Sequence, residues 1–582
     1  MPHPSPLSQI APTTLADNVS RADSVSRNAG GARLRLPFGL VALFATLFLA
    51  ALWFGTLDYR RLADPDEGRY AEIAREMVAS GDWITPRLNG LKYFEKPALQ
   101  YWATAAAFRA FGESEGVARL WPALTGALSI IVMMLAGWRL WGRMTGLVSG
   151  LILAGCLWFM GGAHVLTVDM GVTGFMSVTL AAFLLAQRDD ASAIARRRWM
   201  WLAWAGMGFA VLSKGLIGLV LPGAVLTLYV LWQRDWKRLQ QLELIVGTLI
   251  FLAITLPWFV AVSIRNPEFA QFFFIHEHFQ RYTTEISHRV QPWWFFIPLL
   301  LAGTLPWVSL LPGALRMAQT HTPGDFQPQR LLLLWAVFIF VFFSVSDSKL
   351  PLYILPVFPA LAPLLAIYAL TLPRETLARH MLFAAAIGAA ISLVGVALAS
   401  GWQSNRGAAA MRDYGVWIAV GGSVIALTML AATASIQRGR TLLAFYAASL
   451  STLIGGQIIG LGHNTLAASN SSYALAQLIQ SKMHADTELY TFKRYDQSLP
   501  FYLKRTIPLV DYQDEFALGQ QQEPTRNSVA RSTLIDHWRA GRRILVITRE
   551  DGRQALEQAG LRMTVLYQDN KRVLLASPAA LQ

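Results

Sequence analysis

The chain has 582 residues, of which 54% are hydrophobic and 15% charged, with a mean hydropathy of +0.38. No ordinary soluble protein of this size carries that balance, so the composition reads as a polytopic membrane protein. A net charge of +14 would suggest nucleic acid in a soluble chain, but a positive-inside bias of the loops accounts for much of it, and no nucleic-acid motif is present. The single cysteine, Cys156, excludes an intrachain disulfide and a thiolate metal cluster.

Residues 1–35 are rich in Ser, Ala, Asn and Arg without periodicity, and read as a disordered cytoplasmic tail with no cleavable signal. Leu36–Leu57 is the first apolar run of spanning length; Arg33 and Arg35 before it place the N-terminus in the cytoplasm. Further runs follow near 117–137, 145–165, 170–187, 199–213, 215–232, 242–264, 293–313, 331–346, 352–371, 381–400, 415–435 and 441–462, about thirteen spans in all at ~20 residues each. Arg139, Arg143, Arg188, Arg196 to Arg198, Arg234, Lys237, Arg238, Arg316, Arg330, Arg374, Arg379, Arg438 and Arg440 all fall on the cytoplasmic side of that scheme. The expected organisation is a transmembrane catalytic domain over 36–463, a first outer loop over 58–116 containing interfacial helices, and a soluble outer α/β domain over 464–582. In that last part, strands are expected at Glu488–Phe492, Ile507–Val510, Arg543–Thr548, Met563–Tyr567 and Val573–Ala576, with helices at Ser532–Ala540 and Gly552–Gly560. It lacks a glycine-rich nucleotide fingerprint and reads as a cap or docking surface.

The chemistry concentrates between Asp64 and Trp102. Asp64-Pro65-Asp66-Glu67 has the pattern of a helix start, with Asp64 at the N-cap, Pro65 in the first turn and Glu67 closing a capping box. Glu67 is sufficiently explained as a partner of the helix dipole. Asp66 is not, because Arg69 and Tyr70 lie one turn on, setting an acid, a guanidinium and a phenol on nearly one face. Lys92, Tyr93, Glu95 and Lys96 follow, closed by Pro97. Cations on the side away from anionic inner-leaflet lipid call for another anion, and a phosphate suits the forked donors of Arg and the point charge of Lys. Elsewhere, Asp169 stands at the outer end of a span, where a carboxylate is uncommon and helix capping is the competing explanation. Lys214 reads as a snorkelling or hairpin residue. His276, Glu277, His278 and Arg281 lie within two turns; two histidines at i and i+2 do not share a helical face, so a metal would take one of them and a ligand from elsewhere, such as Glu95. Lys349 and Tyr353 lead into a proline-bent span, suited to a cavity wall.

Four motifs occur in order: DPDEGRYAEIAREM, GDWITPRLNGLKYFEKPALQYW, HEHFQRY and DSKLPLYILP. Together they resemble the C-type membrane glycosyltransferases, and among them the aminoarabinose transferases that modify lipid A. The resemblance implies a sugar donor linked to undecaprenyl phosphate, no nucleotide, a lipid A acceptor, a bacterial inner-membrane location, and resistance to polymyxin and cationic peptides through charge reduction. By motif, Asp66 and Asp169 would stand at the reacting centre. Arg69, Tyr93, Lys96 and Arg281 would surround the carrier phosphate, with Lys349 and Tyr353 nearby. It also implies a divalent metal at Glu95 and His276, with Zn, Mg and Mn all open. The oligomeric state is left open, a monomer being compatible. Two other readings share these motifs or charges: a related transferase acting on another glycolipid or on a protein hydroxyl, and a flippase for a lipid-linked anion. The absence of an evident inverted repeat and the grouping of polar residues at one face weigh against the flippase.

Overall fold

The computed structural model describes residues 47–280, 290–322, 324–401 and 408–581, with 276–280 and 408 by backbone alone. It divides into two compact units, Met1–Ala51 and Leu52–Gln582. In the first, residues 47–51 are helical; most of the run expected at 36–57 lies outside the described residues. All other elements belong to the second unit.

Eight helices among the described residues are long and apolar enough to cross a membrane, or ten if each of two bent pairs is one span. The bent pairs occupy two runs expected to be continuous. Arg143–Ala154 and Leu157–Ala163 meet at 67°, and Trp293–Gly303 and Val308–Met317 at 113°. At the second break Pro306 removes an N–H from the helical ladder. At the first, Cys156 is extended and its successor Leu157 donates to Leu305 O (3.1 Å), so the two breaks are stitched to each other. Proline also bends the expected 352–371 run, which is a 3₁₀ turn over Pro351–Val357 and an α-helix only from Phe358. Val168–Ala186 lies at the centre: every residue but Phe175 is buried, with Leu120–Trp141, Ala193–Lys214 and the Pro351–Val357 turn packed around it. An apolar helix buried all round is a core element, and small residues let its neighbours approach.

The polar segment after Leu57 is folded tightly. Asp66–Ser80 is a helix closed by Gly81 in the left-handed region (φ 71°). A two-residue turn at Asn89-Gly90, both at positive φ, then joins β1 (Arg87–Leu88) to β2 (Leu91–Lys92). This hairpin aims Tyr93 and the following residues back at the helix, and Tyr93 N donates to Pro86 O (3.0 Å). Leu99–Phe111 completes the segment, and Tyr70, Tyr93, Tyr101, Leu166 and Val168 share one apolar core with Tyr495 and Phe516.

The C-terminal part has the expected strands with small shifts: β3 (Glu488–Phe492), β4 (Leu509–Val510), β5 (Ile544–Thr548), β6 (Thr564–Gln568) and β7 (Val573–Ala576). They form one sheet of order β4-β3-β5-β7-β6, with β3 parallel to β4 and β5, and β7 antiparallel to β5 and β6. Tyr473–Lys482 and Leu499–Leu503 cover one face, Arg531–Arg539 and Glu550–Gln558 the other. β4 is shorter than expected for a physical reason. The Ile507 N–H and C=O are both hydrogen-bonded to the Asn89 side chain (2.8 Å each), and Pro508 has no N–H for the ladder.

That bond is one of several that fix the sheet domain to the Asp66–Ser80 helix. Gly68 lies directly on the main chain at Ser498, where an added Cβ would come within 2.5 Å of Ser498 Cα and N. Backbone on both sides leaves nothing to yield, so Gly68→Ala should destabilise the protein by about 1–3 kcal/mol. A lowered thermal midpoint in detergent would show this; an unchanged midpoint would mean that the contact is loose.

Candidate active site

Asp64 is not the helix N-cap. Its carboxylate instead accepts from Ser498 N (2.7 Å) and Ser472 Oγ (3.4 Å), and its N–H donates to Asn470 O (2.8 Å). Burial, then the nearby Asp496 carboxylate, push Asp64 up to about 6. Half of the expected capping box persists one residue earlier, as Glu67 Oε2 accepts from Ala63 N (2.9 Å).

Glu67 has a larger structural role. Arg119 Nε and Nη2 form a two-point ion pair with it at 2.7 and 2.8 Å, and Leu166 N donates to its Oε1 (3.0 Å). Arg119 also donates to the carbonyls of Leu57, Arg60 and Arg61 (2.8, 2.7 and 3.0 Å). Burial would raise the Glu67 carboxyl, but the Arg119 charge and hydrogen bonds overcome it and hold the group at about 2.

Arg69 is also buried but bonded differently. Asp66 and Glu515 stand 3.9 Å from its guanidinium, and its shortest hydrogen bond, to Tyr93 Oη, is 3.4 Å. Its Nε has no partner among the described residues. Arg75, by contrast, makes a two-point pair with Glu72 at 2.6 and 2.7 Å. Arg69 is therefore held in a field of carboxylates without having its donors consumed, the condition for receiving an anion. The Tyr93 phenol and the Glu95 carboxylate both act on the Arg69 charge, and Lys96 Nζ donates to Glu95 O (2.7 Å). Asp66 is the exposed member, with a side chain 36% accessible.

A second group forms around Lys214. Its ammonium pairs with Asp169 Oδ1 and lies 4.0 Å above the Tyr353 ring. Asp169 and Lys214 are both nearly buried, and Gly215 at φ 105° ends the Lys214 helix at that point. Thr167, just before Asp169, has a buried hydroxyl without a partner among the described residues. The two groups are tethered to each other through Glu67, which is next to Asp66 and bonded to Leu166 N. Three residues of chain, at most about 10 Å, then reach Asp169.

Of the residues expected from the sequence, Asp66, Arg69, Tyr93 and Glu95 share one electrostatic cluster, and Asp169 and Tyr353 share Lys214. Lys349 is buried, but its ammonium donates to the carbonyls of Gln291 (2.8 Å) and Ser346. Arg281 lies outside the described residues, as does the side chain of His276. Among the described residues no three His, Cys, Asp or Glu side chains converge as a metal would require. Lys214 and Glu515 were not anticipated as site residues. An LSKG sequence at a helix end looks like any boundary lysine, and only the fold brings it to Asp169.

Comparison with known proteins finds matches to both parts of the chain. Residues 39–273 match the model of the dolichyl-phosphate-mannose-protein mannosyltransferases, and 475–577 that of the aminoarabinose transferase C-terminal domain. The crystal structure of ArnT from Cupriavidus metallidurans bound to undecaprenyl phosphate superposes with a TM-score of 0.87 and 39% identity, over 94% of this chain and 99% of that one. The chain belongs to the aminoarabinose transferase family. The undecaprenyl phosphate-α-4-amino-4-deoxy-L-arabinose arabinosyl transferase of Sodalis glossinidius is 34% identical over 72% of this chain and 75% of its own. Those of Erwinia tasmaniensis and Aeromonas salmonicida are 33% and 37% identical, over 62% and 56% of this chain. These last two matches span 66% and 60% of the relatives' own lengths.

The Asp66–Ser80 helix also carries a buried acid pair, Glu72 and Glu76. Glu76 accepts from Gly90 N (2.8 Å) with Glu72 and Arg75 alongside; burial, then Glu72, raise its carboxyl from 4.5 to about 8. A carboxyl raised on folding binds a proton that the unfolded chain has already released. Its contribution to stability is complete below about pH 4.5 and is lost as the pH rises through about 8. Unfolding in detergent should therefore show stability declining between pH 5 and 8, and Glu76→Gln should flatten the decline. An equal slope in both proteins would contradict the assignment.

Proposed function

We propose that this protein transfers 4-amino-4-deoxy-L-arabinose from undecaprenyl phosphate to a phosphate of lipid A on the outer face of a bacterial inner membrane. The observation that carries the reading is Arg69, buried among Asp66, Tyr93, Glu95 and Glu515 with an unspent donor, in a chain that aligns along nearly its whole length with the ArnT structure bound to undecaprenyl phosphate. In the proposed topology the chain has thirteen spans: the helices and bent pairs described above, Ala193–Lys214, Ile217–Gln233 and the run at 36–57. The tail over 1–35 is cytoplasmic, and the 58–116 loop and the 464–582 domain are both outside.

Chemically, an oxygen of the acceptor phosphate attacks the anomeric carbon from the face opposite the carrier. The new C–O bond forms as the bond to the carrier phosphate breaks, the electron pair leaves with undecaprenyl phosphate, and configuration inverts. Negative charge grows on the leaving phosphate, so pre-placed Arg69, Lys96 and Tyr93 stabilise the transition state more than the bound donor. We assign Arg281 to the same phosphate, with Lys349 and Tyr353 nearby. An acceptor phosphate is already anionic and needs no general base. Asp66 and Asp169 then serve to hold the sugar ammonium or to stabilise oxocarbenium character at the reacting carbon. Lys214 holds the Asp169 carboxylate in place through their ion pair. A divalent cation at Glu95 and His276 is a further proposal on which no step above depends; its test is loss of transfer on chelation and recovery on adding metal back. The product gains an ammonium for each sugar added, lowering lipid A's negative charge and its attraction for polymyxin and other cationic peptides.

Proteoliposomes given the lipid-linked sugar and lipid A, followed by mass spectrometry, should show lipid A gaining the pentosamine mass. Lys96→Ala and Arg69→Ala should each reduce turnover by about a hundredfold or more. Unmodified lipid A with the lipid-linked sugar moved across the bilayer would replace this reading with a flippase. Transfer to a hydroxyl acceptor would replace it with a related transferase.

A further inference from the structure

We infer that the C-terminal domain completes the catalytic apparatus by supplying Glu515 as the positioning residue for Arg69. The inference rests on the reading of Arg69 as a carrier-phosphate ligand. Two carboxylates flank the Arg69 guanidinium at equal distance, but they differ in kind. Asp66, from the same helix, is the more accessible one; Glu515, from the 3₁₀ turn Asp514–Phe516 after β4, has a side chain only 6% accessible. Glu515 is itself fixed from behind: Gln497 Nε2 donates to its Oε1, and Tyr512 Oη to its Oε2 (3.2 Å). Burial raises the Glu515 carboxyl and the Arg69 charge opposes the rise, so the two groups act on one another.

A buried carboxylate held by two donors and stopped at 3.9 Å from a guanidinium orients it without closing a short hydrogen bond. Had the pair closed as Arg119 and Glu67 do, the Arg69 donors would be spent and the phosphate would face a neutralised partner. Tyr495 Oη and Gln497 Oε1, from the same domain, are also buried without partners among the described residues. Tyr495 feels both Glu515 and Arg69 electrostatically, so its phenol brings a polar edge to the apolar core in which its ring packs. The domain thus sets the angle at which Arg69 meets charge developing on the leaving phosphate. This kind of contribution appears in turnover and not in donor binding.

The test is steady-state transfer by the full-length protein in proteoliposomes, with undecaprenyl-phosphate-linked aminoarabinose and lipid A. Glu515→Gln keeps the shape and removes the charge; it should lower kcat about tenfold with the donor KM changed less than about twofold. Tyr512→Phe, which removes one of the two bonds on the carboxylate, should lower kcat by about threefold. In an Arg69→Lys background, Glu515→Gln should add less than about a twofold further loss, because the fork it orients is already gone. Unchanged kcat in Glu515→Gln, or its full effect repeated in the Arg69→Lys background, would overturn the inference while leaving Arg69's role intact. An Arg69→Ala protein with ordinary kcat and KM would instead overturn the phosphate reading beneath it. If Glu515→Gln does not elute as a folded monodisperse species, Tyr512→Phe decides: reduced kcat supports the inference, unchanged kcat overturns it.

Discussion

The buried pair between Glu67 and Arg119 is the constraint from which the site's geometry follows. Arg119 donates at once to Glu67 and to three main-chain carbonyls between 57 and 61, while Glu67 also receives the Leu166 N–H. One ion pair thereby registers the start of the Asp66–Ser80 helix, the exit from the preceding segment and the corner that presents Asp169. Desolvating both charges is expensive, and the multiple hydrogen bonds are what offset that cost; deletion of either partner alone would leave an uncompensated buried charge. Its neighbours in sequence, Asp66 and Arg69, inherit fixed positions from a residue that does no chemistry itself.

From the other side the helix is held by the sheet domain. Ser498 N–H on Asp64, the Gly68 contact with the same main chain, and Asn89 on Ile507 leave the two parts no freedom to slide. The C-terminal domain is thereby attached directly to the residues around Arg69. Asp64 and Glu76, both raised toward neutrality by burial and by a neighbouring carboxylate, make this junction sensitive to pH.

How much of this could be read from residues alone varied with the range of the interaction. Apolar runs of spanning length and the short runs of aromatic or β-branched residues in β3 and β5 are local signals, and the elements stand close to where they are expected. Two runs are bent because proline and an extended Cys156 act within a stretch whose hydropathy is uniform, to which a length criterion is blind. The Asp64-Pro-Asp-Glu pattern fits a capping box, yet Ser498, more than four hundred residues on, competes for the carboxylate and wins. Arg69 and Tyr93 were legible because their spacing on a helix and after a hairpin keeps them together. Lys214 and Glu515 were not, because each takes its meaning from a partner in another part of the chain.

The most direct test is an experimental structure of this protein with undecaprenyl phosphate bound. The account predicts phosphate oxygens within hydrogen-bonding distance of Arg69 Nε, with Tyr93 and Lys96 on the same phosphate and the Asp169 and Lys214 pair facing the same cavity. A phosphate bound elsewhere, with Arg69 closed tightly onto Asp66 or Glu515, would contradict it.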